Sequence, residues 1–201
     1  MLLHEKLKGY KLILASQSPR RQFLLGELGF NFEVRLNGNT DETYPNNLQF
    51  NTIPVFLAQK KAKPFIADLA TNEILITSDT IVWCNQQVIG KPANREEAIS
   101  FLQTLSGNMH LVITGVCLSS VLKSTTFSIE TEVYFRKLEE AEIEFYVDTF
   151  KPYDKAGAYG VQEWIGYVGV ERINGSYFNV MGLPVQRLYV ELNKFLDEIE
   201  G

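Results

Sequence analysis

The chain has little of what metal clusters and disulfides are built from: two cysteines and two histidines among 201 residues. Cys84 and Cys117 each sit in an apolar stretch without CxxC spacing, so they read as reduced thiols buried in strands. His4 and His110 are too few and too scattered for a zinc site. Net positive charge is also missing. The formal charge of −5 argues against general electrostatic binding to nucleic acid or to an anionic membrane. A small anionic ligand is not excluded, because it needs only a local cluster of cations. No apolar run is long enough to span a bilayer. The start, "MLLHEKLKGYKLILAS", lacks the apolar core and small-residue cleavage site of a signal peptide, so a cytoplasmic protein is expected. The GxxxxGK(S/T) pattern of a P-loop is absent, which argues against P-loop kinases.

What is there suits one sizeable domain, with room for two lobes. "LILA" (12–15) reads as a buried strand, followed by a helix with Phe23, Leu24, Leu25 and Leu28 on one face. The segment 35–54 reads as a polar loop, and "VFLAQKKAKPFIADL" as a helix that stops near Pro64. "EILITSDTIVWCNQQVIG" reads as one strand, or as two joined by a hairpin at Asn85-Gln86-Gln87. A helix follows, with Asn94 as N-cap and Gly107 past its end. Two strands come next (110–120 and 125–138), then a helix that ends before Pro152. The segment 151–169 is glycine-rich and loop-like. The tail from Pro184 is an amphipathic helix whose apolar face carries Val185, Leu188, Tyr189, Leu192 and Phe195 or Leu196. Strands and helices interleave and at least one strand pair is hairpin-like, so a mixed-sheet α/β fold is expected.

The first strand-helix junction carries the strongest chemical signal. In "ASQSPRRQ", Ser18 suits an N-cap and Pro19 the first helical position. Arg20 and Arg21 then fall in the first turn, where the helix dipole disfavours cations by about 0.3–1 kcal/mol each. A phosphate held by free backbone N–H groups, the Ser16 and Ser18 hydroxyls and an arginine fork would reverse that penalty. Both arginines pointing into solvent is the competing reading. Asp79 stands inside an apolar strand-like run and needs a cation, a metal or a strand end open to water. A strand-end aspartate capping a turn would also explain it. Lys91 is held between Gly90 and Pro92, as a fixed charge for phosphate or as an ordinary turn lysine. Asp41 and Glu42 are loop carboxylates of the kind that hold Mg²⁺ jointly with phosphates. Lys60 and Lys61 point in different directions on their helix, so one of them at most reaches a site. Together these parts suit metal-assisted chemistry on a phosphate ester or anhydride.

The same residues carry a resemblance. "LILASQSPRRQFLLGELG", "SDTIVWCNQQVIGKPANREEAISFLQTLSG", "DKAGAYGVQ" and "VERINGSYFNVMGLP" resemble, in this order, the signature segments of the Maf family of nucleoside triphosphate pyrophosphatases. The resemblance implies a single Maf-like domain over residues 1–201, with a mixed central sheet flanked by helices. It also implies two lobes with a cleft, similar to inosine triphosphate pyrophosphatases, and a homodimer. The implied reaction splits a nucleoside triphosphate into its monophosphate and pyrophosphate with a divalent metal, Mg²⁺ or Mn²⁺.

Residue by residue, the family's phosphate-binding pattern falls on Ser16, Arg20, Arg21, Lys61 and Lys91, with Lys60 in a spacer place. Glu42 matches the family's metal-binding glutamate, and Asp79 its catalytic aspartate, as general base or as the metal ligand that positions the water. "DKAGAYGVQ" looks like the branch acting on dTTP and UTP, with CTP or modified pyrimidine nucleotides as further candidates. Gln162 would then read the base through an amide that both donates and accepts. Glu163-Trp164 follows where glycine is frequent in the family. Three rivals are carried: a nucleotide-binding regulator of septum formation with incidental catalysis, a pyrophosphatase for 7-methyl-GTP, and a phosphotransferase using the same loop.

Overall fold

The computed structural model describes residues 2–38 and 41–200. After a short helix α1 (Leu3–Lys6), the chain runs β1 (Lys11–Leu14), α2 (Pro19–Glu27), β2 (Phe32–Val34), α3 (Ile53–Ile66), β3 (Glu73–Cys84) and β4 (Gln87–Ile89). Then come α4 (Arg95–Leu105), β5 (Met109–Ser119), β6 (Ser124–Phe135), α5 (Glu140–Phe150), α6 (Trp164–Gly169), β7 (Val170–Asn174), α7 (Tyr177–Val180) and α8 (Val185–Glu200). Among the described residues, seven strands form one sheet in the order β2-β1-β3-β5-β6-β7, with β4 paired to β3. β1 pairs parallel with β2 and with β3, whereas β3–β4 and β6–β7 are antiparallel. This is the mixed sheet that the interleaved pattern implies.

The chain divides into two compact units: residues 1–79, 114–129 and 182–201, and residues 80–113 and 130–181. In the first, the inward faces of β1 and β3 pack Ile13 and Leu75 on Ala58, Ala62 and Phe65 of α3, with Cys117. α8 belongs to this unit, and its Leu188, Leu192, Phe195 and Leu196 are buried as the 3.6-residue pattern requires. In the second, Ala98, Leu102 and Leu105 of α4 join Ile143, Tyr146 and Val147 of α5 and the inward residues of β3 and β6. The two cysteines are free and buried, each with its thiol pKa raised chiefly by desolvation. They are inert core residues.

Several boundaries follow local rules. Asn94 caps α4 by accepting from the Glu97 N–H at 2.9 Å. The β3–β4 hairpin turns through Asn85 and Gln86, both at positive φ (49° and 64°). Two expectations need correction. α3 begins at Ile53, within the stretch expected to be loop, and ends near Pro64 as expected, at Ile66. Pro64 lies in the last turn, so its missing N–H removes only one helical bond close to the end. The segment 151–169 is not all loop, because its last six residues form α6. Gly166 disguises that helix. A Cβ there would stand 1.9 Å from the Val161 carbonyl oxygen, so glycine is needed for a close approach rather than for a turn.

Candidate active site

In the first unit the strand pleat decides which side chains meet. Thr77 and Asp79 lie two apart on β3 and share one face. Ala58 and Lys61 lie three apart on α3 and also share a face. The two faces interlock: the Thr77 hydroxyl donates to the Ala58 carbonyl at 2.7 Å, and the Lys61 ammonium donates to Asp79 Oδ1. Lys61 Nζ also donates to Glu42 Oε1 at 3.0 Å. One buried-side ammonium therefore holds the loop carboxylate and the strand carboxylate together. Lys60 points elsewhere. Its Nζ donates to Asp41 Oδ2 and to the Thr43 carbonyl, each at 2.9 Å. The two lysines tie down successive residues of one loop.

The arginines of α2 belong to this unit too. Arg21 donates through Nη1 to the Ser78 carbonyl and through Nε to the Gly182 carbonyl, both at 2.8 Å. Desolvation lowers its pKa most, with Arg20 adding in the same sense, while Asp79 and Glu42 pull the other way. Arg21 is thus close to both carboxylates and serves partly as a clamp on the backbone. Ser16 is buried. Its hydroxyl accepts the Ser18 N–H at 3.2 Å, and its carbonyl accepts from Gln22 Nε2 at 3.0 Å. Ser18 is the N-cap of α2 by backbone geometry, but its own hydroxyl makes no capping bond. The Ser78 hydroxyl, next to Asp79, is buried with no partner among the described residues.

The described residues contain no group of three or more histidine, cysteine, aspartate or glutamate side chains able to hold a metal ion. Glu42 and Asp79 alone supply two hard oxygen donors. That is the number of carboxylates Mg²⁺ takes from a protein when substrate phosphates complete its shell. The donor set fits a metal shared with substrate phosphates.

Lys91 and Gln162 belong to the second unit. Lys91 is exposed and follows Gly90, whose carbonyl accepts the Gly157 N–H at 2.9 Å. The "GKP" and "DKAGAYG" segments are therefore joined through their backbones. Gln162 Oε1 is buried with no partner among the described residues. Next to it in the chain, Glu163 anchors a polar group whose other members the sequence does not single out. Glu163 accepts from the Tyr146 hydroxyl and sits 3.1 Å from Lys155 Nζ, which also donates to Asp154 Oδ1 at 2.7 Å. For Glu163 the available signal was Gly160: a Cβ there would stand 2.7 Å from the Glu163 carboxyl carbon, so the glycine marks room kept for that side chain.

A mixed α/β sheet that sets arginine and lysine beside two carboxylates defines a class of protein equipped to meet a phosphorylated ligand. The chain belongs to the Maf family, since the family model for Maf-like proteins matches residues 11–195. It is similar to the dTTP/UTP pyrophosphatases of Parabacteroides distasonis (55% identical, covering 95% of this chain and 99% of that one) and Phocaeicola vulgatus (52%, 94% and 98%). That of Flavobacterium johnsoniae is 47% identical, covering 94% and 96%. Among solved structures, the chain resembles a HAM1 protein from Coxiella burnetii at 14% identity and a TM-score of 0.49, covering 92% of this chain and 99% of that one.

Proposed function

We propose that this Maf-family chain is a hydrolase that splits dTTP and UTP into the nucleoside monophosphate and pyrophosphate. The observation that carries the chemistry is the single Lys61 ammonium joining Glu42 to Asp79. That contact supports reading Lys61 as the cation and Glu42 and Asp79 as the two carboxylates of one site. The substrate class is supported by the names of relatives about half identical over nearly the whole chain.

In this reading Ser16, Arg20, Arg21, Lys61 and Lys91 bind the triphosphate and meet the charge that develops on its oxygens. Lys61 gives up a carboxylate oxygen for a phosphate oxygen as substrate arrives. Asp79 orients the attacking water and takes its proton. The new bond forms at the α-phosphorus, and the bond to the β-phosphate oxygen breaks. Glu42 and Asp79 would hold Mg²⁺ or Mn²⁺ jointly with the phosphates, and a metal bound there supplies charge neutralisation of the leaving pyrophosphate. Gln162 reads the base through an amide that can both donate and accept, as the paired donor and acceptor on the uracil or thymine edge require. The reading takes residues 1–201 as one domain that works as a cytoplasmic homodimer. No helix among the described residues is long and apolar enough to cross a membrane.

The test is pyrophosphate release from a panel of nucleoside triphosphates with Mg²⁺ or Mn²⁺, run beside Asp79→Asn. Release from dTTP and UTP should fall by about 10²–10⁴ in the variant while nucleotide binding stays measurable. Turnover confined to 7-methyl-GTP would overturn the substrate class. Tight binding with no release from any nucleotide would overturn the enzyme reading in favour of a nucleotide-binding regulator.

A further inference from the structure

The chain from Gly160 to Glu163 forms a tight turn, closed by the Glu163 N–H donating to the Gly160 carbonyl at 2.9 Å. Gln162 is its third residue. Both ends of this turn are tied to one phenol on α5. The Tyr146 hydroxyl accepts the Gly160 N–H at 3.0 Å and donates to Glu163 Oε2. Tyr146 is fully buried, and its ring stacks on Phe150 with centroids 5.1 Å apart, so the hydroxyl itself is held still. The other Glu163 oxygen faces the buried Lys155 ammonium at 3.1 Å. Glu163 stands at the N-cap of α6, yet its side chain makes no capping bond there and turns back into this group instead. Gly160 is the counterpart that makes the arrangement possible, because any side chain at 160 would collide with the Glu163 carboxyl.

We propose that Tyr146 and Glu163 are positioning residues for base selection: they lock the 160–163 turn so that the Gln162 amide presents its acceptor in one direction. This rests on the reading of Gln162 given above and narrows the substrate class. An acceptor presented in one direction favours pyrimidines with an N–H at position 3 over cytosine, whose N3 is itself an acceptor. Discrimination of this kind is large only when the protein's polar group cannot relax to suit the wrong partner. A free loop glutamine could turn its amide over; one carried on a turn pinned at both ends has less freedom to do so.

The experiment compares UTP with CTP in Tyr146→Phe, Glu163→Ala and Glu163→Gln, reading kcat and KM separately alongside thermal unfolding. In Tyr146→Phe and Glu163→Ala the UTP-over-CTP ratio of kcat/KM should fall about tenfold, through a raised KM for UTP, with kcat within about twofold. Glu163→Gln keeps an oxygen for the Tyr146 hydroxyl and should restore most of the ratio. Tyr146→Phe retains the ring and its packing. If it nonetheless fails to fold, Glu163→Ala, on a partly exposed side chain, carries the test alone. An unchanged ratio in folded Tyr146→Phe and Glu163→Ala overturns the proposal while leaving pyrimidine hydrolysis intact. Absence of UTP and dTTP hydrolysis in the wild type overturns the underlying reading, and this one with it.

Discussion

Arg21 donates from Nη1 to the carbonyl of Ser78 at 2.8 Å, one residue before Asp79. With its Nε bond to Gly182, it ties the start of α2 to β3 and to the chain just ahead of α8. The residue that looked locally wrong in a first helical turn is paid back by two backbone acceptors and two nearby carboxylates. Arg21→Lys should therefore cost stability as well as activity, since one ammonium cannot reproduce a planar fork with fixed donor directions. The expected loss is about 1–3 kcal/mol in denaturant unfolding. Unchanged stability would show that the backbone bonds carry nothing.

Lys60 fastens Asp41 and Thr43 on either side of Glu42. Lys60→Ala should raise the Mg²⁺ concentration needed for half-maximal activity by several-fold, with kcat at saturating Mg²⁺ nearly unchanged. Lys60→Arg should restore much of it. Mn²⁺ binding followed by electron paramagnetic resonance in the presence of nucleotide should weaken in parallel. Identical metal dependence in Lys60→Ala and wild type would return Lys60 to the spacer role that the family pattern implies.

Glu73 gives a pH dependence with a definite sign. Arg35 grips both its oxygens at 3.0 and 2.7 Å, and the Ala70 N–H adds a third bond at 3.1 Å. Chiefly through Arg35, and against the effect of burial, its pKa falls from 4.5 to about 2. The stabilisation is complete above about pH 4.5 and is lost as pH falls towards 2, where the folded carboxylate takes up its proton. Glu73→Gln should lower stability at pH 7 by about 1–2 kcal/mol, after allowance for solvent screening. Unfolding followed from pH 7 to pH 2 should show the two proteins converging at the acid end. A constant difference across that range would rule this pair out as its source.

Much of the fold was legible because its signals are local. Asn94, Gly107 and the apolar face of α8 obey spacing rules that operate within one or two helical turns. Alternation marked β6, while the turn at Asn85–Gln87 left one strand or a hairpin open, and the structure has the β3–β4 hairpin. The misreading of 151–169 came where packing overrides propensity. α6 keeps Gly166 because Val161 approaches too closely for a side chain. The charged residues of the candidate site were legible as residue types for a similar reason: a carboxylate in an apolar strand and arginines at a helix start violate local expectations, and such violations can be seen without a structure.

By itself, the sequence determined the strand-helix alternation, the caps and turns, and the chemical inventory of serine, arginine, lysine and carboxylate that a phosphate and a hard metal ion require. Only the tertiary structure decided that Lys61, the lysine the family pattern picks out, contacts Asp79, and that Arg21 also bonds a carbonyl 161 residues away. It also decided that Tyr146 and Glu163 close on the turn carrying Gln162. The physical reason is one of range. Backbone periodicity and capping are settled between residues a few positions apart, whereas these pairings depend on sheet register and helix docking, which bring together groups that the chain keeps far apart.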